Sequence, residues 1–135
     1  MRKKHRQHCK QEVFTILTKM IAAVLATIVT VVPVQQEAQK IRCTCYLPTG
    51  NRTYDGTEPY EGIVAANKEH LGDMALLWTI EGEWIGLFEC RDIGGGKMLK
   101  NGTAIDIFRD DMDSVKEWIQ MYGDYVQIIW IPAEG

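Results

Sequence analysis

The stretch Cys90–Gly96, CRDIGGG in one-letter code, and the stretch Gly102–Phe108, GTAIDIF, decide how this chain is expected to fold. In the first, three consecutive glycines free the backbone shortly after Asp92. In the second, Asp106 lies between two isoleucines on an apolar strand. The pair Asn101-Gly102, which leads into this strand, is a strong signal for a tight hairpin turn. We therefore predict one β-hairpin that presents two carboxylates, an arrangement that suggests a carbohydrate site.

The first forty residues have the pattern of an export leader followed by a linker. Five basic residues and no acid lie within residues 1–11, and the mostly apolar segment Val13–Val34 follows, with Lys19 as its one charge. The apolar segment is about as long as a bilayer-spanning helix needs to be. A cleaved signal peptide and a retained membrane anchor both fit, and the positive flank places the remainder outside the cytoplasmic membrane in either case. We predict a leader or anchor with a short polar linker over residues 1–40, and one secreted or membrane-anchored domain over residues 41–135.

The predicted domain is acidic. Seven of the 15 basic residues but only two of the 18 acidic residues precede Ile41, which leaves eight basic and 16 acidic residues and a formal charge of −8. Such a domain is repelled by nucleic acid and by anionic lipid surfaces. Nucleic acid is therefore excluded as a partner, and contact with a membrane is expected only through the N-terminal segment.

Short strands dominate the domain. Alternating or apolar runs separated by turn residues predict strands over residues 42–46, 62–66, 74–80, 84–90, 97–99, 103–108 and 125–131. One short helix is expected between the last two strands, because apolar residues recur there at helical spacing after an aspartate that can cap the helix, Asp110 or Asp111, and before Gly123. Trp118 and Ile119 are expected in the core. The fold class is thus mainly β, a small closed barrel of six or seven strands with one helix.

Three cysteines lie in the domain. Cys43 and Cys45 are two residues apart on a predicted strand and therefore face the same side, so they do not easily bridge each other. Two alternatives stand: a disulfide that joins one of them, preferably Cys45, to Cys90, or three buried thiols. No metal site is expected, because His70 is the one histidine after the leader and there is no C-x-x-C pair.

Ordered motifs across the domain resemble a known family. The chain is similar to the three-aspartate ("3D") domain, a double-psi β-barrel of cell-wall proteins in Gram-positive bacteria and their phages, also found in membrane-bound lytic transglycosylase A. The motifs that carry the resemblance are Cys45-Tyr46, Gly50–Thr53, Gly62–Ala66, Leu71-Gly72, Asp92–Gly95 and Gly102–Ile107. The resemblance covers nearly all of residues 41–135.

The resemblance implies cleavage of the β-1,4 bond between N-acetylmuramic acid and N-acetylglucosamine in peptidoglycan. The 6-hydroxyl of the sugar closes onto C1 and leaves a 1,6-anhydro end, so no water and no cofactor take part. One carboxyl group must first protonate the leaving oxygen and later accept the proton of the 6-hydroxyl. Asp106 is the candidate for this acid and base, with Asp92 as the second carboxylate that helps to keep a proton on the pair.

Five further residues are candidates for substrate binding. Asn67 stands where the family has its first aspartate, and an amide can bind a sugar but cannot serve as an acid. Thr53 either lines the groove or makes hydrogen bonds within a turn, and Tyr46 either stacks on a sugar or fills the mouth of the barrel. Gly94 and Gly95 let the backbone approach the glycan or form a tight turn.

Two functions fit the sequence. The first is a peptidoglycan lytic transglycosylase, and the alternative is a non-catalytic module that binds cell-wall glycan in the manner of expansins. In both, glycan strands are the partner and the protein is expected to be a monomer.

Overall fold

The structure, a computed structural model, describes residues 36–134, and the predicted leader and its apolar segment lie outside them. Six strands are present within the described residues. They are β1 (Gln39–Tyr46), β2 (Ile63–Ala66), β3 (Met74–Trp78), β4 (Trp84–Ile93), β5 (Ala104–Phe108) and β6 (Tyr125–Ile131). A 3₁₀ turn (Lys68–His70), a four-residue helix α1 (Lys97–Lys100) and an eleven-residue helix α2 (Met112–Tyr122) connect them. No helix among these residues is long and apolar enough to cross a membrane.

The six strands close into a barrel in the order β1-β5-β2-β4-β3-β6. The pairs β1/β5 and β2/β4 are parallel, and the other four pairs are antiparallel. The prediction of a mainly β, closed barrel of six or seven strands is confirmed, and the part of the chain that the structure describes contains one helix of seven or more residues, α2. Closure pairs both edges of each strand, which removes the free sheet edges that promote aggregation.

Alternate residues of the strands fill the interior of the barrel. The core residues include Ile41, Val64, Leu77, Ile107 and Ile128, each at most 4 % exposed. This pattern follows from the twofold alternation of side chains along a strand, because one set of alternate residues faces inward and the other faces outward. The outward set of β5 includes Asp106.

Helix α2 begins and ends where the sequence predicts. The Asp111 carboxylate accepts a hydrogen bond from the Ser114 backbone N–H at 2.8 Å, and Gly123 ends the helix with φ of 72°. Trp118 is buried against the barrel, but Ile119 is 49 % exposed. The prediction that Ile119 belongs to the core is therefore wrong, because the helix contacts the barrel along the narrower strip that contains Trp118.

The expected hairpin between Asp92 and Asp106 is also wrong. Residues 97–100 form the helical turn α1 instead of a strand, and Asn101 has φ of −91°, which a type I′ turn does not allow. Strands β4 and β5 are not neighbours, because β2 lies between them. Lys-Met-Leu-Lys is a run of good helix formers, and this preference prevails over the Asn-Gly turn signal that follows it.

Candidate active site

The strand register brings the two candidate carboxylates into one row on the outer face of the barrel. Ala65 of β2 is paired with Asp106 on one side and with Asp92 on the other, and Thr44 of β1 continues the row beyond Asp106. Residues paired across strands point to the same face of a sheet. Asp92 and Asp106 therefore lie on either side of a side chain that is only a methyl group, with about 10 Å between their backbones.

A β-bulge turns Asp92 toward this face. Val64 pairs with Cys90 and the next residue, Ala65, pairs with Asp92, so Arg91 is an extra residue in β4. Cys90 belongs to the interior of the barrel. Without the extra residue, Asp92 would share the inward face of Cys90, because side chains alternate with a period of two. The bulge therefore creates the pair of carboxylates.

Asp106 is partly buried, and its environment favours the protonated carboxyl. Burial raises the pKa of Asp106 above the ordinary value of 3.8, the hydrogen bond from Thr44 lowers it, and the charge of Asp92 raises it again, with a net increase. An acid that must carry a proton before it reacts needs this direction of shift.

The Thr44 hydroxyl can serve both protonation states of Asp106. Its Oγ1 lies 2.9 Å from Asp106 Oδ1 and 3.3 Å from the backbone carbonyl of Ile105. A hydroxyl donates one proton and also accepts. When Asp106 is ionised, Thr44 can donate to it, and when Asp106 is protonated, Thr44 can accept from it and donate to Ile105. A group that alternates between acid and base needs such a neighbour.

Three donors hold Asp92 in place. The backbone N–H groups of Tyr54 and Ile93 each donate to Oδ1 at 2.9 Å, and the Tyr46 hydroxyl lies 3.4 Å from Oδ2. Burial, together with the charges of Asp92 and Asp106, raises the pKa of Tyr46, so its phenol stays a neutral donor. The Tyr46 ring also meets Phe108 edge to face, with centroids 5.3 Å apart.

Thr53 is buried, and its hydroxyl is engaged within its own loop. Its Oγ1 lies 2.7 Å from Asp55 Oδ1 and 3.1 Å from the Thr57 carbonyl, and it accepts from the Thr57 N–H at 3.0 Å. These contacts match the alternative in which Thr53 makes hydrogen bonds within a turn. They act on the site indirectly, because the loop carries the Tyr54 N–H that binds Asp92.

Asn67 does not contact either carboxylate through a hydrogen bond in the described part of the chain. Its side-chain amide N–H donates to the Lys100 carbonyl at 2.7 Å, and its side-chain oxygen accepts from the Glu69 N–H at 3.0 Å. Asn67 thus caps the 3₁₀ turn and fastens α1 to the end of β2. The row on the barrel face contains two carboxylates and not three.

Gly94 and Gly95 follow β4 and lead into α1. The Gly94 N–H donates to the Ala66 carbonyl at 3.3 Å, and a Cβ atom at Gly94 would lie 2.6–2.8 Å from side-chain atoms of Leu99. Gly95 is exposed, with open space where a Cβ would lie. Gly94 is therefore required for close packing of α1 against the end of β4.

The three cysteines of the domain carry free thiols in this structure, and the disulfide between Cys45 and Cys90 stays a prediction. Cys43 and Cys90 are buried and Cys45 is half-buried beside the core. Burial is the main reason that the pKa rises to about 12 for Cys43 and Cys90 and to about 11 for Cys45. Such thiols are poor nucleophiles at neutral pH. Within residues 36–134 no three side chains of the types that bind metals form a cluster.

Sequence reasoning missed Thr44 and Ala65. Thr44 lies two residues before Tyr46, so strand alternation alone places the two on one face. Ala65 had no such signal, because its importance depends on its partners in β4 and β5.

Comparison of the chain with protein-family profiles, curated proteins and solved structures gave no match.

Proposed function

We propose that this protein is an exported peptidoglycan lytic transglycosylase with a double-psi barrel of the three-aspartate type. The observation that carries the proposal is the outward row of Asp106, Ala65 and Asp92, in which burial and the charge of Asp92 raise the pKa of Asp106. The resemblance of the sequence motifs to that family supplies the substrate class. The two parallel pairs within the six-stranded barrel are in keeping with the double-psi arrangement.

Asp106 acts first as an acid and then as a base. It gives its proton to the oxygen that leaves with N-acetylglucosamine as the bond from that oxygen to C1 of N-acetylmuramic acid breaks. The ionised carboxylate then accepts the proton of the muramic acid 6-hydroxyl, and O6 forms the new bond to C1. The proton balance closes within one turnover, and Asp106 ends as it began.

Asp92 and Thr44 adjust Asp106 at each stage. The charge of Asp92 favours the protonated acid before the first step and stabilises positive charge that develops on the sugar ring. Thr44 donates to Asp106 once the proton has left. Tyr46 holds Asp92 from one side and offers an aromatic edge at the site.

Asn67 gives one reason to keep the second candidate, a module that binds glycan without cutting it. An amide stands where the family pattern has a carboxylate, and it is occupied with Lys100 and Glu69. In the enzyme, two carboxylates suffice. In the binding module, the same face holds the glycan and no bond breaks.

Digestion of purified peptidoglycan by the full chain, solubilised in mild detergent, tests the enzyme against the binding module. We expect mass spectrometry to detect 1,6-anhydromuramic ends with the wild type and none with Asp106→Asn. Asp113→Asn is the matched control, because the Asp113 side chain is 96 % exposed on α2, and it should act like the wild type.

Three results would contradict the mechanism. They are reducing ends in place of anhydro ends, anhydro ends that persist in Asp106→Asn, and sedimentation of the chain with peptidoglycan without any release of fragments. The last result is the one expected of the glycan-binding module.

A further inference from the structure

An open cavity of ≈ 350 Å³ lies on the outer face of β1 and β5 and against α1, next to Thr44, the hydrogen-bond partner of Asp106. Thr44 and Ala104 line it from the strands, and Met98 and Leu99 line it from α1. Arg42 and Lys97 also line it. None of the functions assigned to the carboxylate row uses this space.

The cavity and the carboxylate row share one side chain. Thr44 lines the cavity and contacts Asp106 through its hydroxyl at 2.9 Å. The Arg42–Ala104 pair lies two residues before the Thr44–Asp106 pair in the β1/β5 register. Two residues along a strand correspond to about 7 Å, so a group in the cavity and a bond at Asp106 can belong to the same sugar unit.

The lining favours a ligand that combines a short hydrocarbon group with a negative charge. Met98, Leu99 and Ala104 offer hydrocarbon, as do the carbon stems of Arg42 and Lys97, and each of these two side chains also carries a positive charge. Among the described residues, neither cation lies in an ion pair with a carboxylate, although the domain carries twice as many acidic as basic residues. Two cations without a carboxylate partner within residues 36–134, beside a small apolar cavity, can form a site for a carboxylate with a short aliphatic neighbour.

We propose that this cavity binds the start of the peptide stem of peptidoglycan. The inference rests on the proposed function and deepens it. The stem is attached through the lactyl group to the muramic acid whose C1 reacts at Asp106. Its first residue presents an alanyl methyl to Met98 and Leu99, and the carboxylate of its second, acidic residue reaches Arg42 and Lys97. The protein therefore prefers glycan that carries peptide over glycan from which the peptide has been removed.

Binding of a soluble fragment tests this without any need for cleavage. The probe is N-acetylmuramyl-L-alanyl-D-glutamate, titrated into the full chain in mild detergent and followed by calorimetry. Arg42→Gln and Lys97→Gln should each weaken binding about tenfold, as expected for loss of a charge-assisted hydrogen bond. Lys116→Gln removes the same charge from a side chain that is 72 % exposed on α2, and it should bind like the wild type.

Two reference probes identify the group that is bound. N-acetylmuramic acid has the lactyl carboxylate but no peptide, and chitobiose has neither. We expect both to bind more weakly than the peptide fragment, with no dependence on Arg42 or Lys97. An equal loss of N-acetylmuramic acid binding in the two variants would assign the cavity to the lactyl carboxylate and overturn the peptide proposal. Equal binding of the peptide fragment by all variants would overturn it as well.

The two proposals fail in different ways. If anhydro ends are absent but the fragment binds through Arg42 and Lys97, the transglycosylase proposal falls and the peptide site stands. If anhydro ends form equally fast from glycan with and without peptide and the variants bind the fragment normally, the peptide site falls and the enzyme stands.

Discussion

At the scale of single residues, the site depends on one carboxyl group in an unfavourable place for charge. Asp106 is partly buried. Its neighbours along β5 are each 0–3 % exposed, and they are Ala104, Ile105, Ile107 and Phe108. Its neighbours include one donor, Thr44, and one like charge, Asp92. Ionisation of Asp106 therefore lowers the stability of the folded protein, which is a common feature of catalytic carboxyls.

Asp106→Asn should stabilise the protein at neutral pH. The folded pKa of Asp106 is raised above the ordinary 3.8, so its favourable contribution is complete below that value and is lost as pH rises through the folded pKa. The amide cannot ionise and keeps an acceptor for Thr44. Thermal unfolding followed by circular dichroism should show a higher midpoint for the variant at neutral pH and equal midpoints near the acid limit.

Asp113→Asn is the control for this effect. The Asp113 carboxylate is exposed, so its replacement does not remove a buried charge. A gain in the Asp106 variant that is independent of pH would contradict the assignment of the effect to ionisation.

Asp55 is the opposite case, a carboxylate stabilised in its charged form. Burial opposes its ionisation, but hydrogen bonds from Thr57, Thr53 and Arg91 outweigh burial, and the pKa falls to about 2. Asp55→Asn should therefore cost about 1 kcal/mol at neutral pH, after allowance for solvent screening. The difference should disappear as pH falls from 3.8 through about 2. Denaturant unfolding over a series of pH values measures it, and a constant difference would refute the explanation.

At the scale of secondary-structure elements, the bulge in β4 and the helical turn α1 shape the site. The bulge at Arg91 directs Asp92 outward, and α1 contributes the Leu99 wall of the cavity. Gly94 joins the two elements. Its lack of a Cβ allows Leu99 to pack directly on the backbone that follows β4.

Gly94→Ala should displace α1. The new Cβ would lie 2.7 Å from Leu99 Cβ, which moves only with its helix, and overpacking of this kind costs about 1–3 kcal/mol. Gly95→Ala is the matched control, because nothing lies within 4 Å of its added Cβ, and it should change the free energy of unfolding by less than about 0.5 kcal/mol. Denaturant titration compares the two variants, and similar losses would show that α1 does not pack as described.

At the scale of the whole molecule, barrel closure joins strands that are distant in sequence. β1 pairs with β5 and with β6, and β2 pairs with β4 and β5. Because the strands share one interior, we expect the barrel to unfold as a single cooperative unit.

Leu77→Ala should lower the free energy of unfolding by about 2–5 kcal/mol, because Leu77 is fully buried and leaves a cavity in the shared interior. Leu87→Ala on the adjacent strand removes the same atoms from a side chain that is 51 % exposed, and it should cost much less. Tryptophan fluorescence and circular dichroism should give one midpoint in each variant. Separate midpoints would contradict a single cooperative barrel.

Local patterns predicted most of the elements and only part of their arrangement. The alternation in β1 and β5 and the aspartate cap and glycine end of α2 are local, so the sequence was sufficient for them. The error at residues 97–100 arose because helix propensity and a turn signal compete over a few residues. The hairpin error arose because the insertion of β2 between β4 and β5 depends on pairings between distant parts of the chain.

By itself, the sequence determined the acidic character of the domain, its mainly β class, the position of α2 and the choice of Asp92 and Asp106 as the candidate carboxylates. The first three properties depend on composition and on spacing within a few residues, and the choice of carboxylates depends also on the resemblance of the ordered motifs to the three-aspartate domain. Only the tertiary structure decided that the two carboxylates flank Ala65 instead of sharing a hairpin, that Asn67 is occupied elsewhere, and that a cavity adjoins Thr44. Each of these depends on strand order and on a one-residue bulge, and a shift of one residue moves a side chain to the opposite face of a sheet.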